Sequence, residues 1–404
     1  MILIMTKKNI LYISGSIGLG HITRDLAIAR ELRRQDPTLD ISWLAANPAN
    51  TFLRDAGEKL VQEADQYANE NIQAEKAAGA TRLNLISYLI KARKDWQHNG
   101  EVFKQVTQRS HFDLVIGDET YEVALALRKE PRVKKWPFVI IFDFLGLESV
   151  TGNPLEKLGT YYYNRTWSQD YRRPNAADLT LFVGEPEDIP DRTFGFLLPN
   201  RREYARDRLF RFIGYIFQFD PAIYADRNRV RERLGYGKEP LVICSIGGTS
   251  IGKELLELCG EAYPILKTEM PDLHMVLVCG PRLPPASLKI PAGIEVRGYV
   301  PALYEHFAAS DLAIVLGGGT TTLELTALRR PFIYFPLEGQ CEQEVSVAGR
   351  IARHQAGVKM HFSKTTPESL AKKIKENIGQ EVTYPPIPID GAEKAAHLIV
   401  QLLK

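Results

Sequence analysis

Twelve short apolar runs punctuate this chain, six in each half, with amphipathic helical patterns between most of them. The first six fall at 9–14, 40–45, 113–117, 138–142, 178–183 and 210–213. The second six fall at 241–246, 273–279, 294–297, 311–316, 332–335 and 358–362. Runs this short that stay apolar throughout predict strands buried on both faces. Their alternation with helices predicts parallel sheets joined by right-handed crossovers. Two such series predict two Rossmann-like α/β domains, each holding its ligand at the carboxyl ends of its strands. The expected division is 1–218 and 219–404, with the polar, basic stretch 219–238 supplying the linker and the first helix of the second domain. The last helical pattern, 391–404, packs either within its own domain or back on the first.

Composition narrows the class. A chain of 404 residues accommodates two domains, and 45% hydrophobic with 25% charged residues is the balance of a soluble globular enzyme. A net charge of +2 gives no basis for a nucleic-acid partner. Cys244, Cys259, Cys279 and Cys341 lack metal-type spacing and suit a reduced, cytoplasmic protein with no bound metal. The first residues are too few before the first strand for a signal peptide, and no apolar run approaches a membrane span. No Walker loop and no GxGxxG with its acidic partner occurs, so ATP and dinucleotides have little support.

The most informative stretch is Asp311-Leu-Ala-Ile-Val-Leu-Gly-Gly-Gly-Thr-Thr-Thr-Leu-Glu324. A buried strand runs into Gly317, Gly318 and Gly319, which let the backbone turn and another group approach closely. Thr320, Thr321 and Thr322 then stand where a helix begins, with amides and hydroxyls directed outward. Unpaired amides and the positive end of the helix dipole make an anion site. Glu324, about a turn later, is placed to take a sugar hydroxyl beside that anion. A diphosphate cradle with a carboxylate next to it predicts a nucleotide diphosphate whose ribose is held by Glu324.

In the first half, the first strand ends in Ser14-Gly-Ser-Ile-Gly18-Leu-Gly20-His21, followed by a helix at 22–32. The glycine-rich turn is common to doubly wound folds and is weak as a phosphate loop. His21 either caps the helix or acts as a general base, since imidazole titrates near neutrality. A base of this kind works better with a carboxylate to orient it. Asp118 and Glu119 end the strand 113–117 at the same sheet edge, where they also qualify as caps of the next helix. Asp143 ends another strand at that rim.

Other segments carry two readings each. The aromatic group Tyr161-Tyr-Tyr-Asn-Arg-Thr-Trp167 is core packing or an acceptor pocket. The amphipathic stretch 83–94 is a half-buried surface helix or a contact with a membrane surface. Gly248-Thr249 ends a strand, and Thr249 either donates to a phosphate or caps the following helix. The backbone around Val300 lies at a strand exit suited to a base edge. Glu342 and Gln343 precede a helix expected over 344–354 and suit sugar hydroxyls, unless the loop is merely solvated.

Taken together these pieces resemble the inverting GT-B glycosyltransferases that use UDP-sugars, above all the peptidoglycan N-acetylglucosaminyl transferase and bacterial natural-product enzymes. The likeness covers the whole length in architecture and a few places in motif. It implies two Rossmann-like domains facing each other across a cleft, the second binding the nucleotide sugar and the first the acceptor. By this likeness Gly248, Thr249, Gly318, Gly319, Thr320 and Thr321 hold the diphosphate, Glu324 the ribose, and Glu342 with Gln343 the donor sugar. Gly18, Gly20 and His21 match the N-terminal GxGH turn with its base, and Asp118 falls where the natural-product enzymes carry the partnering aspartate. The implied reaction is direct displacement at the anomeric carbon by a hydroxyl of a small-molecule or lipid acceptor, without metal or other cofactor and with peripheral membrane contact as one option. Leu316 stands where many members have histidine, Glu342 replaces the usual aspartate, and 151–208 matches no acceptor motif. A nucleotide-sugar hydrolase with a similar Gly-His turn, a non-catalytic nucleotide-sugar-binding protein and an epimerase are the alternatives.

Overall fold

The computed structural model describes residues 7–15, 19–69, 78–79, 82–83, 85–168 and 176–404. The chain divides into two compact units, the first built from Met1–Gln73, Ile86–Gln218 and Pro388–Lys404, the second from Ala74–Leu85 and Phe219–Ile387.

The first unit begins with β1 (Lys8–Ile13), α1 (Leu19–Gln35), β2 (Leu39–Leu44), α2 (Ala49–Asp55) and β3 (Lys59–Leu60). A two-residue antiparallel pair, β4 (Ala78–Gly79) and β5 (Arg82–Leu83), which belongs to the second unit, comes next in the chain, before α3 (Leu85–Arg109) of the first. Then come β6 (Leu114–Asp118), α4 (Tyr121–Lys129), β7 (Phe138–Phe142), α5 (Pro154–Ser168), β8 (Leu179–Phe182), α6 (Arg201–Asp207) and β9 (Arg211–Phe212). The strands form a parallel seven-stranded sheet in the order β3-β2-β1-β6-β7-β8-β9. Period-two alternation sends the two sides of each strand to different cores. Leu11, Ile13 and Val115 join Phe103, Phe138 and Phe142 on one face. Ile10, Tyr12, Leu114 and Ile116 join Ile28 and Trp43 on the other, with Tyr12 stacked on Trp43 at 4.4 Å.

The second unit contains α7 (Arg227–Leu234), β10 (Leu241–Ser245), α8 (Lys253–Glu269), β11 (His274–Val278), β12 (Glu295–Arg297), α9 (Leu303–Ala309) and β13 (Leu312–Leu316). It continues through α10 (Gly319–Ala327), β14 (Phe332–Phe335), α11 (Ala348–Arg353), β15 (Val358–Lys359) and α12 (Pro367–Asn377). Its parallel sheet has the order β12-β11-β10-β13-β14-β15. A last helix, α13 (Gly391–Gln401), belongs to the first unit, where Ala395, Ala396 and Ile399 pack into the same core as Ile22 and Ile28 of α1. Backbone bonds from Tyr215 to Pro388 and from Gly391 to Tyr215, both 3.0 Å, fasten this returning segment.

All twelve predicted strands are present, and both sheets are doubly wound. β3 and the β4–β5 pair are additions that two-residue strands are too short to signal. The chain order reverses between β1 and β6 in the first sheet and between β10 and β13 in the second. Such a reversal opens a crevice at the strands' carboxyl ends. Three local expectations need correction. The first helix starts at Leu19, so His21 stands inside its first turn, not at its cap. The helix after β10 is capped by the left-handed Gly252, so Thr249 does not cap it. The helix expected over 344–354 opens as a π-helical segment, Glu342–Val347, before becoming α11.

Candidate functional site

At the β1/β6 reversal of the first unit, Ile13 pairs with Gly117, so the residues that follow each strand emerge side by side. Gly15 is required there, because a Cβ would lie 2.8 Å from the Asp118 carbonyl oxygen and 3.5 Å from His21 Nδ1. That close approach brings His21 Nδ1 to 2.9 Å from Asp118 Oδ2. Asp118 is fully buried. Arg24, one helical turn beyond His21, donates from Nε and Nη2 to the two Asp118 oxygens at 2.8 and 2.5 Å. Its Nη1 donates to Asp143 Oδ2 at 2.5 Å, and its Nη2 lies 2.8 Å from His21 Nδ1. Burial opposes a charge on Asp118, but Arg24 and His21 outweigh it and hold the carboxyl below its usual range. The next acid on α1, Asp25, accepts from Tyr12 and Ser14 and is pushed well up by burial and by Asp118.

The structure thus brings His21, Asp118 and Asp143 into one cluster. Neither Asp118 nor Glu119 caps α4, whose N-cap is Thr120 with no side-chain cap bond. Gly20 lends its carbonyl to Thr23 Oγ1 at 2.8 Å, and Gly18 lies outside the described residues. Arg24 is the member that sequence reading missed.

In the second unit β10 and β13 are neighbours, with Ser245 opposite Val315, so the turns after them leave the sheet together. Gly317 follows β13, and a Cβ there would stand 2.8 Å from Pro336 Cα and 3.2 Å from Gln343 Oε1. α10 begins at Gly319 with Gly318 as an N-cap that has no capping side chain, which leaves the first-turn amides to a ligand or solvent. Thr320 and Thr321 make no side-chain hydrogen bond among the described residues. Thr322 differs from expectation: its N–H bonds to the Gly318 carbonyl, and its hydroxyl donates to the carbonyls of Gly318 and Gly319. Arg350 Nη1 lies 3.9 Å from where a Cβ of Gly319 would stand, so a guanidinium borders the helix start, a neighbour not foreseen.

Glu324 is half-buried and makes no side-chain hydrogen bond or ion pair among the described residues. Burial pushes its carboxyl up to about 8. Gln343 accepts from the Leu337 N–H at 2.8 Å, which leaves its amide N–H groups as donors, and Glu342 accepts from Gln340 Nε2 at 3.0 Å. Both begin the π-helical segment, a geometry frequent at functional sites. Gly248 and Thr249 lie in the turn after β10. Val300 follows β12, two strands away from β10, and packs against the core of that unit.

The remaining segments resolve as follows. Trp167, at the end of the aromatic group, packs against Tyr121 at 5.6 Å and Phe142 at 5.8 Å, whereas Tyr162 is 61% exposed. In the stretch 83–94 the side chains of 83–86 and 88–90 lie outside the described residues. Among the described residues no group of three metal-binding side chains occurs, and no helix is long and apolar enough to cross a membrane.

Two doubly wound units with their crevices at the strand reversals define the GT-B class of glycosyltransferase folds. A solved structure, the glycotransferase of kitacinnamycin, superposes with a TM-score of 0.61 at 16% identity, covering 98% of this chain and 99% of that one. Within that class, residues 242–397 match the glycosyltransferase family 28 C-terminal domain. The chain is 23% identical over 386 residues to an uncharacterized glycosyltransferase of Methanosarcina acetivorans, covering 93% of this chain and 90% of the relative. It is 25% identical over 374 residues to the UDP-N-acetylglucosamine--N-acetylmuramyl-(pentapeptide) pyrophosphoryl-undecaprenol N-acetylglucosamine transferase of Streptomyces avermitilis, covering 88% and 86%.

Proposed function

We propose that this protein is an inverting glycosyltransferase that moves a sugar from a nucleotide diphosphate, a UDP-sugar, to a hydroxyl of a small-molecule or lipid acceptor. The observation that carries the reading is the 2.9 Å contact between His21 Nδ1 and buried Asp118 at the β1/β6 reversal. A carboxylate on Nδ1 favours the tautomer whose Nε2 takes the acceptor proton, against the pull of Arg24 Nη2 on the same nitrogen, and it steadies the imidazolium that results. The relation to the Streptomyces avermitilis transferase supports UDP as the nucleotide and a lipid-linked acceptor.

The donor falls to the second unit. The first-turn amides of α10 and the hydroxyls of Thr320 and Thr321 take the diphosphate, with Arg350 adding positive charge. Glu324 takes the ribose, while Glu342 and the Gln343 amide take the donor sugar. Charge developing on the departing UDP is then met by protein groups, so the reading requires no cofactor. Four buried cysteines, none in a disulfide, fit a cytoplasmic setting.

The test is calorimetric titration with UDP and UDP-sugars. UDP binds the wild type, Glu324→Ala weakens it by roughly 1–3 kcal/mol, and His21→Ala leaves it nearly unchanged while abolishing transfer. Binding of dTDP or GDP compounds instead overturns the donor, and binding of no nucleotide overturns the whole reading. Release of free sugar at the same rate with and without acceptors marks a hydrolase.

A further inference from the structure

Glu119 follows Asp118 at the end of β6 and has no part in the reaction as described. Its backbone is left-handed, with φ 51°, a region that residues bearing a side chain adopt only when their surroundings impose it. Two 3.0 Å bonds impose it here, from its N–H to the Ile141 carbonyl and from the Tyr121 N–H to its own carbonyl. The side chain, 8% exposed, is thereby carried to the far side of the imidazole from Asp118, with Oε2 3.9 Å from His21 Nε2. Glu119 also interacts with the Asp143 carboxyl, through charge and a side-chain hydrogen bond, while its Oε1 is buried and has no hydrogen-bond partner among the described residues. A carboxylate oxygen left so would be costly, whereas the carbonyl oxygen of a neutral acid is far less so. Two carboxyls joined by a hydrogen bond hold one proton between them.

We propose that Glu119 is a positioning residue for His21: a neutral acid, sharing one proton with Asp143, that faces the ring nitrogen reserved for the acceptor and keeps the imidazole uncharged until the acceptor proton arrives. The charged groups around it are His21 and Arg24 from α1, Asp118 from its own strand, and Asp143 after β7. Arg24 is already engaged by Asp118 and Asp143. Were Glu119 ionised as well, three carboxylates would face one guanidinium, and the imidazole would be held as an imidazolium with no room for another proton. Burial, then the charge and hydrogen bond of Asp143, push the Glu119 carboxyl well up, in the direction this role needs.

The inference rests on His21 as the base, but its test reads protonation directly and needs no turnover. The C2 proton of His21 is followed by NMR against pH in the full chain, assigned with His21→Ala. In the wild type the curve has a main step for His21 and a second, separate inflection as Glu119 ionises. Glu119→Gln erases the second inflection and leaves the main midpoint within about 0.3 pH unit. Asp143→Asn, which removes the neighbouring charge, moves the second inflection to lower pH. A main midpoint that falls by about one pH unit or more in Glu119→Gln shows an ordinary ionised counter-charge and overturns the proposal. Identical curves in wild type and Glu119→Gln overturn it as well. Transfer surviving in His21→Ala refutes the base itself, an outcome separate from either titration result.

Discussion

Glu324 shows how one side chain can couple substrate to stability. Its carboxyl is pushed by burial to about 8 in the folded protein, above the ordinary 4.5. Between those values the folded state holds more protons than the unfolded chain, so ionisation costs stability as pH rises. Glu324→Gln is therefore expected to be more stable than the wild type by on the order of 1–3 kcal/mol at pH 7, with the difference shrinking as pH falls and gone below about pH 4. Thermal melts across that range check the sign, and a variant less stable at neutral pH would refute it. His21, Asp118 and Glu324 could be singled out in the sequence because each stands at the end of a buried strand or inside the helix that follows one. Arg24 was not, because its partners lie 94 and 119 positions away and only the sheet order brings them together.

At the scale of elements, the start of α10 assigns different work to three adjacent threonines. Thr320 and Thr321 make no side-chain hydrogen bond among the described residues, whereas Thr322 returns its hydroxyl to the carbonyls of Gly318 and Gly319. Thr320→Val and Thr321→Val are expected to weaken UDP binding by about 0.5–1.5 kcal/mol each, and Thr322→Val to leave it unchanged while lowering the melting temperature. Equal losses of affinity at all three positions would contradict this division. Continuous apolar runs made all twelve long-range strands readable, since a strand buried on both faces leaves no other pattern. The π-helical segment at Glu342–Val347 was not readable, because its extra residue per turn depends on what the segment packs against and not on its own composition.

At the scale of the molecule, the chain leaves the first unit at Gln218, builds the second, and returns at Pro388. The amphipathic pattern of 391–404 announced that this helix needs a partner but not which one, since an apolar stripe fits any complementary surface. The partner is α1, and the contact buries Ala395, Ala396 and Ile399 beside Ile28. Removing residues 388–404 is expected to destabilise the first unit by at least about 3 kcal/mol while UDP affinity, which the proposed function assigns to the second unit, is retained. Loss of nucleotide binding on this truncation would show that the units do not divide the work as proposed. The route of the chain also orders events during synthesis. The ribosome finishes residues 219–387 before it makes the helix that completes the first core, so the second unit folds as a whole while the one that carries His21 still waits with an open hydrophobic face.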